Sequence, residues 1–469
     1  MAKVVTQETY DEIIKENIVE FSMSVEEARE ETIKQLEAQG INLGNIIKDL
    51  AINAETGVPL LNEYIEKLKF HTDGSSKLSS DDLINILTSF TAECNISVPH
   101  RVLAAKLDAL SYVLKVIQDE ISTGNSHDAK TVLHHAILAA NSITHKNPDV
   151  FDKACLDTII KCLDTQKDKQ VICDTLKWIQ KSCIMHEMNR QAVVEADILM
   201  THLKPLLANE DEALVKEICA VFRYLILDDD VRVEFGKAHD HARLIATETL
   251  TDLTGLLAKF KDNESLVADL MLTIGALTVR NEFCEAVKEA DGLKYVMDAM
   301  IQFPDSVKVV REALKLLKVL AGNDKVKVQI VQCGAVTVIA SALSRFKSNE
   351  TVAKAALVCI STLALRVKEN ADALFDTSIP ESIIETMKIH PGSKLVQRNA
   401  AWAIRNMVSR SRNQCETWAS HGVEDVLNAA MQAHPGIQGD VKAALRDLGL
   451  KVQLNEEWKG KSEKPIAND

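Results

Sequence analysis

Seven short apolar stretches recur along the chain and superimpose on one another. They read DTLKWI, AVFRYL, LTIGAL, KLLKVL, VCISTL, WAIRNM and AALRDL. Their penultimate residues lie 46, 52, 43, 43, 44 and 41 positions apart. This interval is the period of a solenoid with two or three helices per repeat, and it is too long for ankyrin or tetratricopeptide repeats. The spacing therefore predicts a stack of helical units.

The composition agrees with a helical array. A chain of 469 residues is longer than a single globular core usually allows, so it forms either several domains or a repeat array that adds core unit by unit. Aromatic residues make up only 4%, and there are 17 glycines and 9 prolines. We therefore expect an all-α protein with little or no strand.

Each repeat also carries a short helix and a turn before its apolar helices. Gly292, Gly334 and Gly422 lie where the chain must bend sharply, and we expect them to supply the backbone freedom of that bend. The interval of 52 contains the stretch HDHARLIATETL (239–250), which we interpret as an insertion.

These short first helices, glycine turns and third helices ending in AAWAIRN resemble the armadillo repeat family. The resemblance is strongest over about 150–450. It implies a right-handed α-solenoid with a helical N-terminal segment. We expect an acidic helical segment over 1–70, a linker at 71–80, weaker helical repeats over 81–150, the armadillo solenoid over 151–452 and a disordered tail over 453–469.

No catalytic or metal-binding motif is present in the sequence. It lacks a GxSxG elbow, a Walker loop, a GxGxxG turn and an HExxH helix. Zinc sites need four converging ligands. The sequence offers only isolated pairs of candidate ligands: Cys183 with His186, His134 with His135, and His239 with His241. We therefore predict no enzyme activity, no cofactor and no metal.

The ten cysteines show no disulfide framework, and no secretory leader opens the chain, so we expect a reducing compartment: the cytoplasm, with the nucleus as the alternative. No apolar run is long enough to span a membrane. The net charge of -14 argues against direct binding of nucleic acid or of acidic membranes. We expect a soluble protein.

The resemblance places the third helices along a concave groove. Peptide-binding members of the superfamily carry a Trp-x-x-x-Asn pair there, and Trp402 and Asn406 match it on one helical face. Only this repeat matches, which favours a short or helical ligand over a long extended peptide. The alternative is that Trp402 packs locally and that Asn406 is a solvated helix residue.

The position before the Asn of this pair is basic in five of the seven repeats. These residues are Lys177, Arg223, Lys318, Arg405 and Arg446. With Arg398 nearby they predict a positive track that binds an acidic segment. The alternative is that the stems of lysine and arginine simply cover apolar surface.

We therefore predict a non-enzymatic scaffold that binds a protein or peptide segment in the concave groove; the oligomeric state is left open. The alternative is a transport adaptor or assembly chaperone. Residues 1–50 hold 11 acids and five bases, so the N-terminal segment could compete with an acidic ligand for the positive track. Its alternative role is to cap the first repeat by burying Ile13, Ile14, Ile18 and Phe21.

Overall fold

The computed structural model describes residues 3–123 and 126–452. The predicted tail over 453–469 lies outside the described residues. The chain forms two compact units, one ending at Ala242 and one beginning at Arg243. The predicted all-α class is confirmed, because strand is confined, in the described residues, to two short pieces: Lys3–Val4 and Ile41–Asn42 pair in parallel.

The N-terminal segment has its own small core. Helix α1 (Gln7–Val19) packs on α2 (Val25–Ala38). Helix α2 begins with a capping box of Ser24 and Glu27, as the Ser-x-x-Glu spacing of these residues in the sequence predicts. The core consists of Tyr10, Ile14, Ile18, Ala28, Leu36, Leu43 and Ile46. Ile13 packs against this core at partial exposure, whereas Phe21 is 62% exposed. The predicted burial of Phe21 is therefore wrong, since it follows the last turn of α1.

The rest of the first unit is a series of helices joined by short turns. They are α3 (Leu60–Asp73), α4 (Ser80–Ile96), α5 (Val98–Lys106), α6 (Ala109–Thr123), α7 (His127–Thr144), α8 (Lys153–Thr165), α9 (Lys169–Ser182), α10 (Glu187–Glu195), α11 (Lys204–Leu207) and α12 (Glu212–Leu225). A 3-10 turn covers Pro148–Val150, and a π-helical turn, Leu199–Leu203, precedes α11. Helix α13 (Ala238–Lys259) contains the boundary between the two units.

The second unit continues with the same three-helix order. Its helices are α14 (Glu264–Leu277), α15 (Asn281–Glu289), α16 (Gly292–Gln302), α17 (Val307–Leu320), α18 (Asp324–Gln332), α19 (Ala335–Arg345), α20 (Glu350–Ala364), α21 (Lys368–Phe375), α22 (Ile379–Ile389), α23 (Lys394–Val408), α24 (Cys415–Ser420), α25 (Val423–Ala433) and α26 (Gln438–Asp447). Two 3-10 turns, Arg412–Gln414 and Pro435–Ile437, precede α24 and α26.

The third helix of each repeat packs against the third helices of its neighbours. This series is α4, α7, α9 and α12 in the first unit, and α14, α17, α20, α23 and α26 in the second. From α4 to α23, each third helix begins at a Ser, Asp or Asn whose side chain accepts a hydrogen bond from a backbone N–H of the first turn. Such caps stabilise a helix by about 1 kcal/mol each. They therefore define where these eight third helices start.

Two of the three predicted glycine bends have the expected backbone. Gly334 and Gly422 adopt left-handed φ values of 87° and 79°. At the third bend the left-handed residue is Asp291, with φ 59°, and Gly292 begins α16. Gly292 is needed for space instead, because a Cβ there would lie 2.6 Å from the carbonyl oxygen of Val287. The expected role of Gly292 is therefore corrected from backbone freedom to close packing.

The interval of 52 residues has a different origin from the one predicted. The stretch 239–250 belongs to the long helix α13, and the irregular segment is the loop 226–237 before it. Arg190 anchors this loop, because its guanidinium pairs with Glu187 at 3.0 Å and with Asp229 at 2.6 Å. Hydrogen bonds from Arg232 hold the pKa of Asp230 well below its usual value.

Two further findings concern boundaries and hydropathy. Helix α3 runs across the expected boundary at 70 and through the first residues of the expected linker. His71, within that linker, accepts a hydrogen bond from the backbone N–H of Leu78 at 3.1 Å.

In the described chain no single helix is both long and apolar enough to cross a membrane, although α18 and α19, bent by 78°, meet that criterion as a pair.

Candidate functional site

Helix α23 presents the residues that the sequence singles out. Its buried side includes Val396, Ala400 and Met407, which are fully covered by neighbouring helices. Arg398, Trp402, Arg405 and Asn406 are instead half-buried. Because residues four positions apart share one face of a helix, Arg398, Trp402 and Asn406 form a single row on the side of α23 that is not fully buried.

Arg398 and Trp402 form a cation–π pair. The guanidinium carbon of Arg398 lies 4.8 Å from the centroid of the Trp402 ring. The Nε atom of Arg398 is buried without a hydrogen-bond partner in the described structure, and no described carboxylate forms an ion pair with this side chain. The Arg398 guanidinium is therefore held by the Trp402 ring and not by a carboxylate of the described chain, through an interaction of roughly 0.5–1 kcal/mol at such a site.

Asn406 is engaged by the neighbouring repeat. Its Nδ2 donates to the carbonyl oxygen of Ser361 and to the Ser361 hydroxyl oxygen, both at 2.9 Å. Both amide hydrogens are thus used within the protein, and only Oδ1 remains to accept a hydrogen bond from a ligand. The resemblance implies that the Asn of a Trp-x-x-x-Asn pair bonds a ligand's backbone both as donor and as acceptor, whereas Asn406 is left with the acceptor alone.

Arg405 and Arg446 share one carboxylate. Arg405 Nε lies 3.1 Å and Arg446 Nε 3.0 Å from the two oxygens of Asp447. Asp447 occupies the position in the last repeat that Asn406 occupies in its own. Two cations with a single anion leave a net positive charge at this point, and the side chains of both arginines remain accessible, at 42% and 56% exposure.

Helix α17 contributes a second group of cations. Lys318 is exposed, and no described carboxylate pairs with it. Nearly two turns earlier on the same helix, Glu312 accepts from both Arg311, at 2.7 Å, and Lys315, at 3.2 Å. Burial raises the pKa of the Cys359 thiol on α20 to about 12, and the charge of Lys318 opposes that shift. Cations therefore outnumber carboxylates along the third helices of the second unit.

The corresponding positions of the first unit are less open. Lys177 lies 3.6 Å from Asp174, which is 2% exposed and also bonds His134 at 2.5 Å. Trp178, at the position equivalent to Asn406, is fully buried and donates its indole N–H to Thr144 Oγ1 at 3.1 Å. Arg223 is half-buried on α12. The five basic residues are thus divided between the units, with Lys318, Arg405 and Arg446 in the second.

The carboxylates and the serine that pair with this row were missed as functional residues. Ser361 lies in the repeat position of the bases, Asp447 in that of Asn406 and Asp174 in that of Trp402, yet the prediction counted only the positive residues. Their presence in those positions was a readable signal, because neighbouring third helices place equivalent positions side by side. The sequence could not show which acid meets which base.

The residues weighed as metal ligands have other roles. Cys183 is buried, and His186 caps α10 and lies 3.1 Å from Asp149. Cys155 and Cys162 are both buried on α8, as expected for residues seven positions apart on one face of a helix. In the part of the chain that the structure describes, no group of three or more His, Cys, Asp or Glu side chains is arranged to hold a metal ion.

Comparison with known families places the chain among armadillo-repeat proteins. A family model described as ARMC6 matches residues 61–467, and one described as Armadillo repeat-containing protein 6 N-terminal domain matches residues 2–63. The chain is 52% identical to the Armadillo repeat-containing protein 6 homolog of Drosophila melanogaster over 468 residues, covering 100% of both chains. It is 29% identical to Armadillo repeat-containing protein 6 of Homo sapiens, covering 98% of this chain and 93% of the human one.

Solved structures support the same fold. A chain from a study of the interaction between cadherin and beta-catenin aligns with a TM-score of 0.57 at 14% identity, covering 80% of this chain and 69% of the other. The crystal structure of an engineered protein aligns with a TM-score of 0.53 at 16% identity, covering 82% and 99%. At these identities the likeness concerns the fold, which is an armadillo-type array of helices.

Proposed function

Because the chain belongs to the armadillo repeat-containing protein 6 family, we propose that it is a non-enzymatic scaffold that binds a segment of a partner protein on the third helices of the second unit. The observation that carries this proposal is the row on α23. There Trp402 stands half-buried beneath Arg398, whose charge no described carboxylate neutralises.

The charge of this surface favours an acidic ligand. Arg398, Lys318 and the shared pair of Arg405 and Arg446 leave an excess of positive charge after Asp447 is counted. Carboxylates of a partner can displace or join Asp447, since a guanidinium binds two oxygens at once. Such charge complementarity steers association and selects against basic partners.

The state of Asn406 favours a short or helical ligand. A helical segment presents side chains rather than free backbone groups, so it does not need the amide donors that Asn406 already gives to Ser361. A transport adaptor for basic cargo would instead need free acidic positions. Asp174 and Asp447 are each paired with cations of the protein.

The proposal is tested by isolating the partners of the full-length protein from cells with wild type and Trp402→Ala. We expect the variant to lose the partners while its thermal unfolding midpoint changes by no more than a few degrees, because Trp402 is only half-buried. Arg345→Ala is the control, since it removes a cation of α19 that pairs with Asp305 in the turn before α17 and does not belong to the row on α23.

Two outcomes would contradict the proposal. If Trp402→Ala retains every partner, the row on α23 is not the binding surface. A large fall in the unfolding midpoint would show instead that Trp402 is a packing residue, as the alternative interpretation of the sequence holds.

A further inference from the structure

A cavity of about 300 Å³ lies between the N-terminal segment and the first repeat. One wall is the side of α1 that carries three carboxylates, Glu8, Asp11 and Glu12, and one ammonium, Lys15. The opposite wall includes the apolar side chains of Val58, Leu103 and Leu107. The cavity thus combines an acidic wall with an apolar one, and α1, the loop before α3, α3 itself and α5 all contribute to it.

The acidic wall contains a carboxylate without a cation. Asp11 is half-buried, and its Oδ1 accepts one hydrogen bond, from Gln7 Nε2 at 2.9 Å. Gln7 is itself fixed by Ile47, whose backbone N–H donates to Gln7 Oε1 at 2.8 Å. None of the described lysines, arginines or histidines forms an ion pair with Asp11. A carboxylate removed from water without a counter-charge is destabilised, and a cation in the cavity would relieve this.

A second acceptor in the cavity also lacks a donor. The Oδ1 atom of Asn62 on α3 is buried, and no described group donates a hydrogen bond to it. Buried carbonyl oxygens are nearly always hydrogen-bonded in folded proteins. Asp11 lacks a counter-charge and Asn62 Oδ1 lacks a donor, and both lie beside an apolar wall. This arrangement is the complement of a side chain with N–H donors at the end of an aliphatic stem.

We propose that this cavity binds a basic side chain, lysine or arginine, carried by an apolar segment of a partner protein. The N–H groups of the side chain donate to Asp11 and Asn62, and its methylene stem packs on Leu103 and Leu107. Glu8 and Glu12 are exposed at the rim and attract the cation. This site is separate from the third helices of the second unit, and its ligand has the opposite charge.

The test uses the full-length protein and a fluorescein-labelled hexapeptide with one arginine between two leucines, followed by fluorescence anisotropy. A matching peptide has citrulline, which is uncharged, in place of arginine. We expect the arginine peptide to bind about tenfold more tightly than the citrulline peptide. Asp11→Asn should reduce affinity for the arginine peptide by about the same factor, since it removes the charge and keeps the shape.

Glu20→Gln is the matched control, because Glu20 is an exposed acid of the same segment that does not line the cavity. It should leave the affinity unchanged. An equal loss with Glu20→Gln would show general attraction to an acidic surface and overturn the proposal, as would equal binding of the two peptides or no saturable binding. Agmatine binding as tightly as the arginine peptide would overturn the protein partner and indicate a small-molecule amine site.

Discussion

Asp11 makes the stability of the protein depend on pH. Burial raises the pKa of this carboxyl group from 3.8 to about 6, and the Gln7 hydrogen bond opposes the shift. The folded chain therefore holds the proton more tightly than the unfolded chain does. Folding loses stability as the pH rises from about 4 to about 6, and the loss is complete above that window.

Asp11→Asn should consequently stabilise the protein at neutral pH. The amide carries no charge at any pH, so we expect a gain of about 1 to 2 kcal/mol near pH 7.5 and almost none near pH 4. Thermal unfolding midpoints at the two pH values measure this. Glu20→Gln is the control and should show no such dependence; an equal effect of Asp11→Asn at both pH values would contradict the prediction.

Trp178 and Asn406 show what the repeat register predicts and what it does not. Both occupy the same position of a repeat, yet Trp178 is buried and Asn406 is half-exposed. Trp178 bonds Thr144 and packs edge-on against Phe151 at 6.3 Å, partners at least 27 positions away in the chain. The repeat register identifies the face of the helix on which a residue lies. The exposure of its side chain depends on its size and on contacts with residues that are distant in the sequence.

At the scale of single helices, the sequence predicts where a helix starts or ends better than it predicts the loops that join helices. The capping box at Ser24 and the bends at Gly334 and Gly422 depend on residues within one turn, and all three are confirmed. The insertion predicted at 239–250 lies instead in the loop 226–237, which ion pairs with α10 hold in place. Arg190 and Asp229 are 39 positions apart, so no local pattern reveals their contact.

Arg190 should therefore be critical for this part of the first unit. Its side chain is 1% exposed, and Glu187, equally buried, depends on it for charge balance. Arg190→Ala leaves a buried carboxylate without its cation, and we expect a loss of about 3 to 5 kcal/mol. A lower thermal unfolding midpoint and faster proteolytic cleavage within 226–237 measure the effect.

Arg232→Ala is the matched control for this prediction. Arg232 pairs with Asp230 and Asp149 in the same network, but its side chain is 50% exposed. Exposed ion pairs contribute little, so the loss should be about 1 kcal/mol. If the two variants lose equal stability, burial of Arg190 is not what makes the network important.

For the whole molecule, the repeat interval alone predicts the all-α array. An interval of this length fits a unit of two or three helices, and the apolar face of each third helix must be buried against the third helix of the next unit. It cannot predict the division of the chain at Ala242, which falls inside a continuous helix. The role of the N-terminal segment was also left open between capping and competition for the positive track. Close packing of α1 on the loop before α3 supports capping, since a Cβ on Gly57 would lie 2.9 Å from the Cα of Lys15.

Deletion of residues 1–56 tests these two roles. Capping predicts a less stable protein that aggregates more readily, because Val58, Leu103 and Leu107 lose their cover. Competition predicts an equally stable protein that binds acidic peptides more tightly in a salt-sensitive way. We expect the first result, measured by thermal unfolding and light scattering, with deletion of 453–469 as the control.

The chain of N-caps along the third helices has a consequence for the order in which the protein opens. The third helices from α4 to α23 all begin at a side-chain cap, whereas Ile437, which precedes α26, provides none. The repeats behave as a linear lattice, in which a member with one neighbour opens at lower cost than a member with two. Fraying should start at α26 and move inward, so its amide protons should exchange with solvent before those of α20.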